Sequence, residues 1–599
     1  MTQTLPIAFA GCAGHLTLPD AAGQGQTGIV LCRSWGFDEL CTRKFLRCLA
    51  DALAAEGFPV LRFDYPGTVD SLDLAGGEDL QSWTDAAIAA CDSLKGAADC
   101  RQVVVFGLGP GALIAERVAH LRSDVAGIIL AAPIAGGKRF LRETNLRAKV
   151  ILEGLGLPAE ALPEGEVSIG GLVLPRGVAA NLQSTGVDVT PWAVSLPCLV
   201  AARPAVPSDS ETATRLGASG HQVTALPFDG YDKLMEDPTA SIVPQALIAE
   251  MAEWCSATFP REGSAEATAR VPDAPARLVG DGFTEEGVVF RAEAPLFGVL
   301  CRPASPSPAG QGGKVAVFLN SGYDHHGGWA RCWVEAARDL ARHGIPSLRF
   351  DVSNIGDSPA CAGDPDQVLY TQAPIRDVSD ALDYLDANCP GAYVLIGRCS
   401  GAYGAFHAGH RDARVTTLAL INQLRLIWDP EESLVEVARM GPRPIGEYKR
   451  RLTDPKTFKR LLSGDISIRG VLRGLSIHVV SRLSHALAPV FPNLSKYGRF
   501  RAECHAIFRD LDRRRVMIAF LCSEGDESLE QLALYFGKAR AGLGAFEHVR
   551  LDILPDADHN ITPLPAQRHM RQWICEFVAS GGEPDCAHSR TAPGQSLDF

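Results

Sequence analysis

Short, wholly apolar runs recur along this chain, and each leads through a loop into a stretch with helical spacing. Gly28-Ile29-Val30-Leu31 reads as a buried strand, an amphipathic helix follows over about 43–56, and Pro59-Val60-Leu61-Arg62-Phe63-Asp64 reads as the next strand. A second helix over about 80–94 leads to Gln102-Val103-Val104-Val105-Phe106, and Ile128-Ile129-Leu130-Ala131 and Cys198-Leu199-Val200-Ala201 complete the set. Runs apolar on both faces suit strands covered on both sides, and a helix between successive strands predicts parallel pairing. Between the last two runs the pattern lapses, and Gly137-Lys138-Arg139-Phe140-Leu141-Arg142-Glu143 reads as part of an irregular insertion.

The pattern then stops and starts again. Residues 261–281 are rich in Ala, Pro, Gly and Glu without apolar periodicity, which predicts a linker. Beyond it, Leu61-Arg62-Phe63-Asp64 returns as Leu348-Arg349-Phe350-Asp351, Gly57 and Pro59 return as Gly344 and Pro346, and Asp70-Ser71 returns as Asp357-Ser358. All share an offset of 287 residues, the mark of a tandem duplication. Val315-Ala316-Val317-Phe318-Leu319, Tyr393-Val394-Leu395-Ile396, Thr416-Thr417-Leu418-Ala419-Leu420-Ile421, Val516-Met517-Ile518-Ala519-Phe520-Leu521 and Val549-Arg550-Leu551-Asp552-Ile553-Leu554 supply the second set of strands. The predicted fold class is α/β, with two tandem, doubly wound, mostly parallel sheets. The first unit spans 1–260 and the second 282–580, with a helical cap inserted at about 422–515 and a flexible tail over 581–599.

Composition narrows the function. The 599 residues are 46% hydrophobic and 21% charged, ordinary for a globular protein, and the net charge of −13 argues against general nucleic-acid binding. Seventeen cysteines lie scattered without CxxC pairs, no leader pattern opens the chain, and no apolar run reaches the length of about 18 residues that a membrane span needs. A reduced, cytoplasmic protein is expected. Metal-ligand spacing is missing, the adjacent His325 and His326 are expected to point in different directions, and no cofactor is predicted. The cap reverses the overall charge, with about nineteen Lys and Arg against about ten Asp and Glu, in stretches such as Tyr448-Lys449-Arg450-Arg451. Either it favours an anionic substrate, such as coenzyme A, a phosphopantetheinyl carrier or an acidic glycan, or its charges are solvated helix faces.

The candidate chemistry gathers around Gly397-Arg398-Cys399-Ser400-Gly401, which joins an apolar run to a small-residue helix. A strand turning sharply into a helix holds its central residue in a strained conformation, and small neighbours let the backbones pass. Cys399 stands at the tip, where a helix N-terminus favours a thiolate, and the Ser400 N–H adjoins it. A buried cysteine in an ordinary turn is the plain alternative. Asn320-Ser321-Gly322-Tyr323 follows the first strand of this half, where backbone N–H groups of Ser321, Gly322 or Tyr323 are candidate oxyanion donors. Asp526, in Glu524-Gly525-Asp526-Glu527, is the candidate acid, and His559, in Asp556-Ala557-Asp558-His559-Asn560, the candidate base. Arg398, His325 and His326 are candidate substrate contacts, with solvent exposure equally open for the two histidines.

In the first half the equivalent turn is Gly107-Leu108-Gly109-Pro110-Gly111, and a glycine centre offers no nucleophile. A phosphate loop is the alternative, although Gly-Lys-Ser/Thr and the GxGxxG spacing are both missing. Where a base would follow the last strand, Phe228-Asp229-Gly230-Tyr231-Asp232-Lys233-Leu234 offers Tyr231 or Lys233. The first half therefore reads as catalytically silent, a scaffold or a wall that shapes the substrate site.

At Leu348-Arg349-Phe350-Asp351 with Gly356-Asp357-Ser358, Cys399-Ser400-Gly401-Ala402 and Asp558-His559, the chain resembles the α/β-hydrolase superfamily. More narrowly it resembles the hydrolase-like proteins of bacterial exopolysaccharide clusters, the exosortase A system-associated hydrolases. Both predicted units would then be α/β-hydrolase-like, the first of them degenerate. The resemblance implies acyl-transfer chemistry in a biosynthetic setting: cleavage or transfer of an ester or thioester, whose acyl group could be carried by coenzyme A or a carrier protein. With Cys399, Asp526 and His559 in that chain order, the expected enzyme is an acyltransferase, thioesterase or esterase working through an acyl-cysteine. A non-catalytic scaffold or binding protein of a biosynthetic complex is the alternative.

Overall fold

A computed structural model describes residues 2–20, 25–155, 157, 162, 165–185, 194–259, 275–305, 313–432, 434 and 496–580. Two sheets carry the chain, one in each half. The first runs in the order β1 (Gln3–Phe9), β2 (Cys12–Leu18), β4 (Val60–Phe63), β3 (Thr27–Cys32), β5 (Gln102–Leu108), β6 (Val125–Ala131), β9 (Pro197–Ala202), β10 (Gln222–Pro227). A separate hairpin, β7 (Val167–Ile169) with β8 (Leu172–Leu174), stands beside it.

The second sheet repeats this order with one strand added at its edge. It runs β11 (Arg277–Gly280), β12 (Phe283–Phe290), β13 (Leu296–Pro303), β15 (Ser347–Phe350), β14 (Lys314–Leu319), β16 (Ala392–Arg398), β17 (Val415–Ile421), β18 (Met517–Ser523), β19 (Val549–Leu554). Even the register is duplicated: Val30 sits opposite Leu61 between β3 and β4, and Val317 opposite Leu348 between β14 and β15. From β4 to β10 and from β15 to β19 every pairing is parallel, so the fold is α/β with two tandem, mostly parallel sheets.

Strand alternation explains why the apolar runs are uninterrupted. In β14, Val315, Val317 and Leu319 pack into one core while Ala316 and Phe318 pack into the core on the opposite face. In β3, Val30 and Cys32 serve one face, Ile29 and Leu31 the other.

Three sequence expectations change here. The antiparallel strands β1, β2 and β12 escaped notice because they mix polar and apolar positions, β13 escaped although Leu296 to Cys301 is a buried apolar run, and β11 begins inside the expected linker. Residues 137–143 open a regular helix, Gly137–Leu155, which only shallow burial hides from the periodicity. The basic stretches of the expected cap, 448–451 and 456–462, fall outside the described residues, as do 260–274 of the linker and the 581–599 tail. Among the described residues, no helix is long and apolar enough to cross a membrane, and all the cysteines are unpaired thiols.

The duplicated motifs meet one another across the seam between the halves. Arg62 pairs with Asp357, and Arg349 reciprocally pairs with Asp70 at 3.0 Å. Such exchange of equivalent partners is the pattern of a twofold interface, here within one chain. Ser71 and Ser358 are duplicated as well, each donating to the carbonyl of the motif aspartate, Asp64 or Asp351, seven residues before it.

His326 is clamped between the halves, with Nε2 2.8 Å from Asp70 and Nδ1 3.0 Å from Asp351. Burial opposes its charge, yet the two carboxylates outweigh it and hold His326 protonated, pushed up to about 10. His325 accepts the Gly327 N–H at Nδ1, and its Nε2 lies 3.0 Å from Asp357 and 3.1 Å from the Arg43 guanidinium. Both histidines are buried. They are structural members of a charged seam rather than substrate contacts, and their rings lie 3.6 Å apart instead of diverging. Asp70, Asp351 and Asp357 come close enough to these histidines to resemble metal-ligand groups, but Arg349 already pairs with Asp70, Arg43 and Arg62 with Asp357, and the Asn320 amide donates to Asp351.

Candidate active site

Cys399 occupies the tip of a strained turn between β16 and the helix Ser400–Arg411, with φ 54° and ψ −118°. A Cβ on Gly397 would come within 2.3 Å of the Gly401 backbone, and one on Gly401 within 2.4 Å of the Asn320 carbonyl. Only glycine fits at either position. The same crossing is built in the first half: Gly109 has φ 59°, and Cβ atoms on Gly107 and Gly111 would meet backbone at 2.4 Å. There the tip of the turn is glycine and carries no side chain.

His559 follows β19 and Asp526 follows β18, so both reach the same end of the sheet as the Cys399 turn. Asp526 caps the helix Glu527–Phe536 by accepting the Ser528 N–H, which leaves its other oxygen for His559 Nδ1 at 2.9 Å. The histidine turn is tied down by Asp558, which accepts from the backbone and hydroxyl of Thr562, and by Asn422, which donates to the His559 carbonyl at 2.9 Å. His559 Nε2 has no other polar partner and is turned to the Cys399 thiol, the neighbour that together with Asp526 favours its charge. Cys399, His559 and Asp526 thus form one connected row.

The row is polarised. Burial alone would raise the Cys399 thiol, but His559, Arg398 and the Ser400 N–H prevail and lower it. Burial likewise opposes the imidazolium, while Asp526 and Cys399 push His559 up to about 10. Both shifts run toward a thiolate–imidazolium pair. By contrast, burial pushes Cys332 and Cys522 up to about 12. Iodoacetamide at about pH 6 is therefore expected to label Cys399 and to leave Cys332 and Cys522 unmodified, with labelling falling as acid neutralises the thiolate. Peptide mapping reads the result; in His559→Ala, Cys399 should lose its advantage.

A cavity of about 600 Å³ opens over this row, lined by Ser321, Gly322, Cys399, Ser400, Asp526 and His559 among others. Its wall includes first-half residues: Gly154, Leu155 and Leu157 at the end of one helix, and Asp237, Pro238 and Thr239 from a loop. The Thr239 hydroxyl lies 2.7 Å from where a Cβ on Gly322 would stand, so this loop packs directly on the turn beside Ser400.

Several expected contacts take other roles. The Gly322 N–H donates to Ser400 Oγ at 2.8 Å and is therefore committed rather than waiting for an oxyanion. Tyr323 turns its hydroxyl to the 366–368 segment, donating to Asp366 and accepting from Val368. Arg398 lines the cavity, but its guanidinium holds Asp324 at 3.0 Å and Asn560 at 2.7 Å, so it positions the His559 turn. Burial, opposed by Arg398 and assisted by Asp237, raises Asp324 to about 7. In the first half, Ser34 Oγ fills the space beside Gly109, Tyr231 packs on Arg203, and Lys233 faces solvent.

Two contributors escaped sequence reading: Asp324 and Tyr370. Tyr370 lies in an irregular loop, which carries no periodic signal, and it lines the same cavity as Cys399. Its positive φ of 60° is invisible in sequence because the residue is not glycine.

Residues 316–574 match the model of the Alpha/beta hydrolase family. No curated protein matches the sequence. Solved structures similar to the chain include the proline iminopeptidase of Mycobacterium smegmatis, at 13% identity over 49% of this chain and 98% of that one, with TM-score 0.31. Another is Est1E of Butyrivibrio proteoclasticus with ferulic acid bound, at 17% identity over 43% of this chain and 98% of that one, with TM-score 0.32.

Proposed function

We propose that this protein is an acyl-transfer enzyme, an acyltransferase or a thioesterase or esterase, in which Cys399 is the nucleophile, His559 the acid–base group and Asp526 its orienting partner. The observation that carries the proposal is the continuous row from Asp526 through His559 Nδ1 to the Cys399 thiol at the floor of the cavity. The thiolate adds to the carbonyl carbon of an ester or thioester, and the carbonyl π pair moves onto oxygen. The Ser400 N–H and the backbone near Ser321 receive that charge. As the intermediate collapses, protonated His559 gives its proton to the leaving group, and an acyl-cysteine remains. Neutral His559 then deprotonates water for hydrolysis, or an acceptor hydroxyl or amine for transfer.

The unit over 282–580 supplies the chemistry and the unit over 1–260 supplies a wall. Besides Asp526, the described lining carries Asp237, Asp324, Glu524, Asp556 and Asp558 against Arg398 and His559. This favours an acyl partner that is neutral or cationic at the cavity mouth. Binding of coenzyme A or a carrier arm rests on the expected cap, most of which lies outside the described residues. The resemblance to exopolysaccharide-cluster hydrolases supports a bacterial biosynthetic setting.

The test is to incubate the protein with acyl-coenzyme A and activated acyl esters, quench in acid and map adducts by peptide mass spectrometry. Acylation confined to Cys399 is the expected result. No adduct and no turnover with any acyl donor would favour a non-catalytic scaffold.

A further inference from the structure

Oxyanion stabilisation at this site faces a shortage of donors, because the Gly322 N–H is already spent on Ser400 Oγ. A different group stands at the sulfur. Tyr370 lies in the loop before the helix Ala373–Asn388, lines the cavity and is only 7% exposed. Its ring is stacked on Trp428 at 4.3 Å and 7°, with Tyr403 meeting it edge-on at 5.0 Å. Held between two aromatic neighbours, the phenol has little freedom to leave. Its backbone is in the left-handed region, at φ 60°, a strain that persists only where the surroundings impose it. That backbone and those rings together hold the phenol in the cavity wall that Cys399 also lines, close enough for the sulfur to act on its hydroxyl.

We propose that Tyr370 is a catalytic residue whose hydroxyl donates to the Cys399 thiolate at rest and to the carbonyl oxyanion in the tetrahedral intermediate. The handover requires little movement. Once the C–S bond forms, the oxyanion is bonded to the carbon that the sulfur has attacked, so it forms beside the sulfur in the cavity that Tyr370 lines. No proton is transferred in this step: the phenol keeps its proton, the sulfur loses its charge and the oxygen gains it. Burial, followed by the neighbouring Cys399, raises the phenol well above its ordinary range, so it remains a donor at any pH at which the enzyme works. A donor held in place before the reaction begins stabilises developing charge without reorganising, which is where such groups have their largest effect.

This inference rests on Cys399 being acylated, and the experiment separates the two. Tyr370→Phe, which removes the oxygen alone, is expected to slow single-turnover acylation of Cys399 by about 10²–10³-fold. It is also expected to move the thiolate titration, followed by ultraviolet absorbance, to higher pH. Tyr403→Phe, which alters the neighbouring ring and leaves the donor, should change neither. Thermal melts show whether the variants are folded; should Tyr370→Phe fail to fold, 3-fluorotyrosine placed at 370 tests the same point, a more acidic phenol shifting the thiolate titration to lower pH. Wild-type protein that forms no acyl-cysteine would overturn the proposed function itself. An acylated wild type with Tyr370→Phe acylating equally fast and an unmoved thiolate titration would overturn only the role of Tyr370.

Discussion

Cys399→Ala is expected to lower turnover of any accepted ester or thioester by a factor of about 10⁴ or more, and His559→Ala by a comparable factor. The two losses should be similar and far from additive. The alanine protein has no atom with which to form the acyl intermediate, and the histidine variant loses both the cation that holds the thiolate and the proton that the leaving group needs. Asp526→Asn should cost less. Its amide can still cap the following helix, but it no longer carries the charge that steadies imidazolium at His559 Nδ1. Initial rates with matched melting temperatures check all three. The reading would be sunk by a Cys399→Ala protein that retains wild-type turnover, because nothing else in the row can accept an acyl group. The hydroxyl of the next residue, Ser400, is already bonded to the Gly322 N–H.

The second large effect concerns the seam. Asp70→Ala is expected to destabilise the protein by about 3–5 kcal/mol, because it strips a partner from two buried cations at once. Arg349 would be left with Glu285, and His326 with Asp351. The pH dependence carries its own signature. His326 is raised from 6.5 to about 10, so its contribution is complete below pH 6.5 and is lost as pH rises towards 10. Asp70 is held well below the ordinary carboxylate range, since His326 and Arg349 overcome its burial; that contribution disappears only in acid, as pH falls below about 4. Urea unfolding should show wild-type stability declining through the alkaline window, with a flatter profile in Asp70→Ala. An unfolding free energy within about 0.5 kcal/mol of wild type would contradict the account. Arg62→Met, which exposes Asp357 on the reciprocal side, should behave like Asp70→Ala. Both variants should also weaken catalysis before they unfold the chain, since the seam fixes the wall formed by Asp237, Pro238 and Thr239 against the turn at Gly322.

The sequence by itself determined what depends on neighbours along the chain. Apolar runs such as 315–319 announce buried strands because both faces of the sheet are covered. The glycines around Cys399 announce the strained turn because backbone must pass there within the space of a single Cβ. The 287-residue offset announced the duplication, and the strand order then placed Asp526 and His559 at one end of the sheet. What it left undecided was every role set by a distant partner. His325 and His326 sit in a polar loop by composition, yet they are buried because Asp70, Asp351 and Asp357 converge on them from both halves. Gly322 has an amide in the expected place, yet Ser400 claims it. Tyr370 is one aromatic residue in an irregular loop until Trp428 and Tyr403 close around it. A buried charge or a buried hydroxyl must find its partner wherever the fold provides one. Those partners lie tens to hundreds of residues away, so no local pattern encodes them and only the tertiary structure decides which they are.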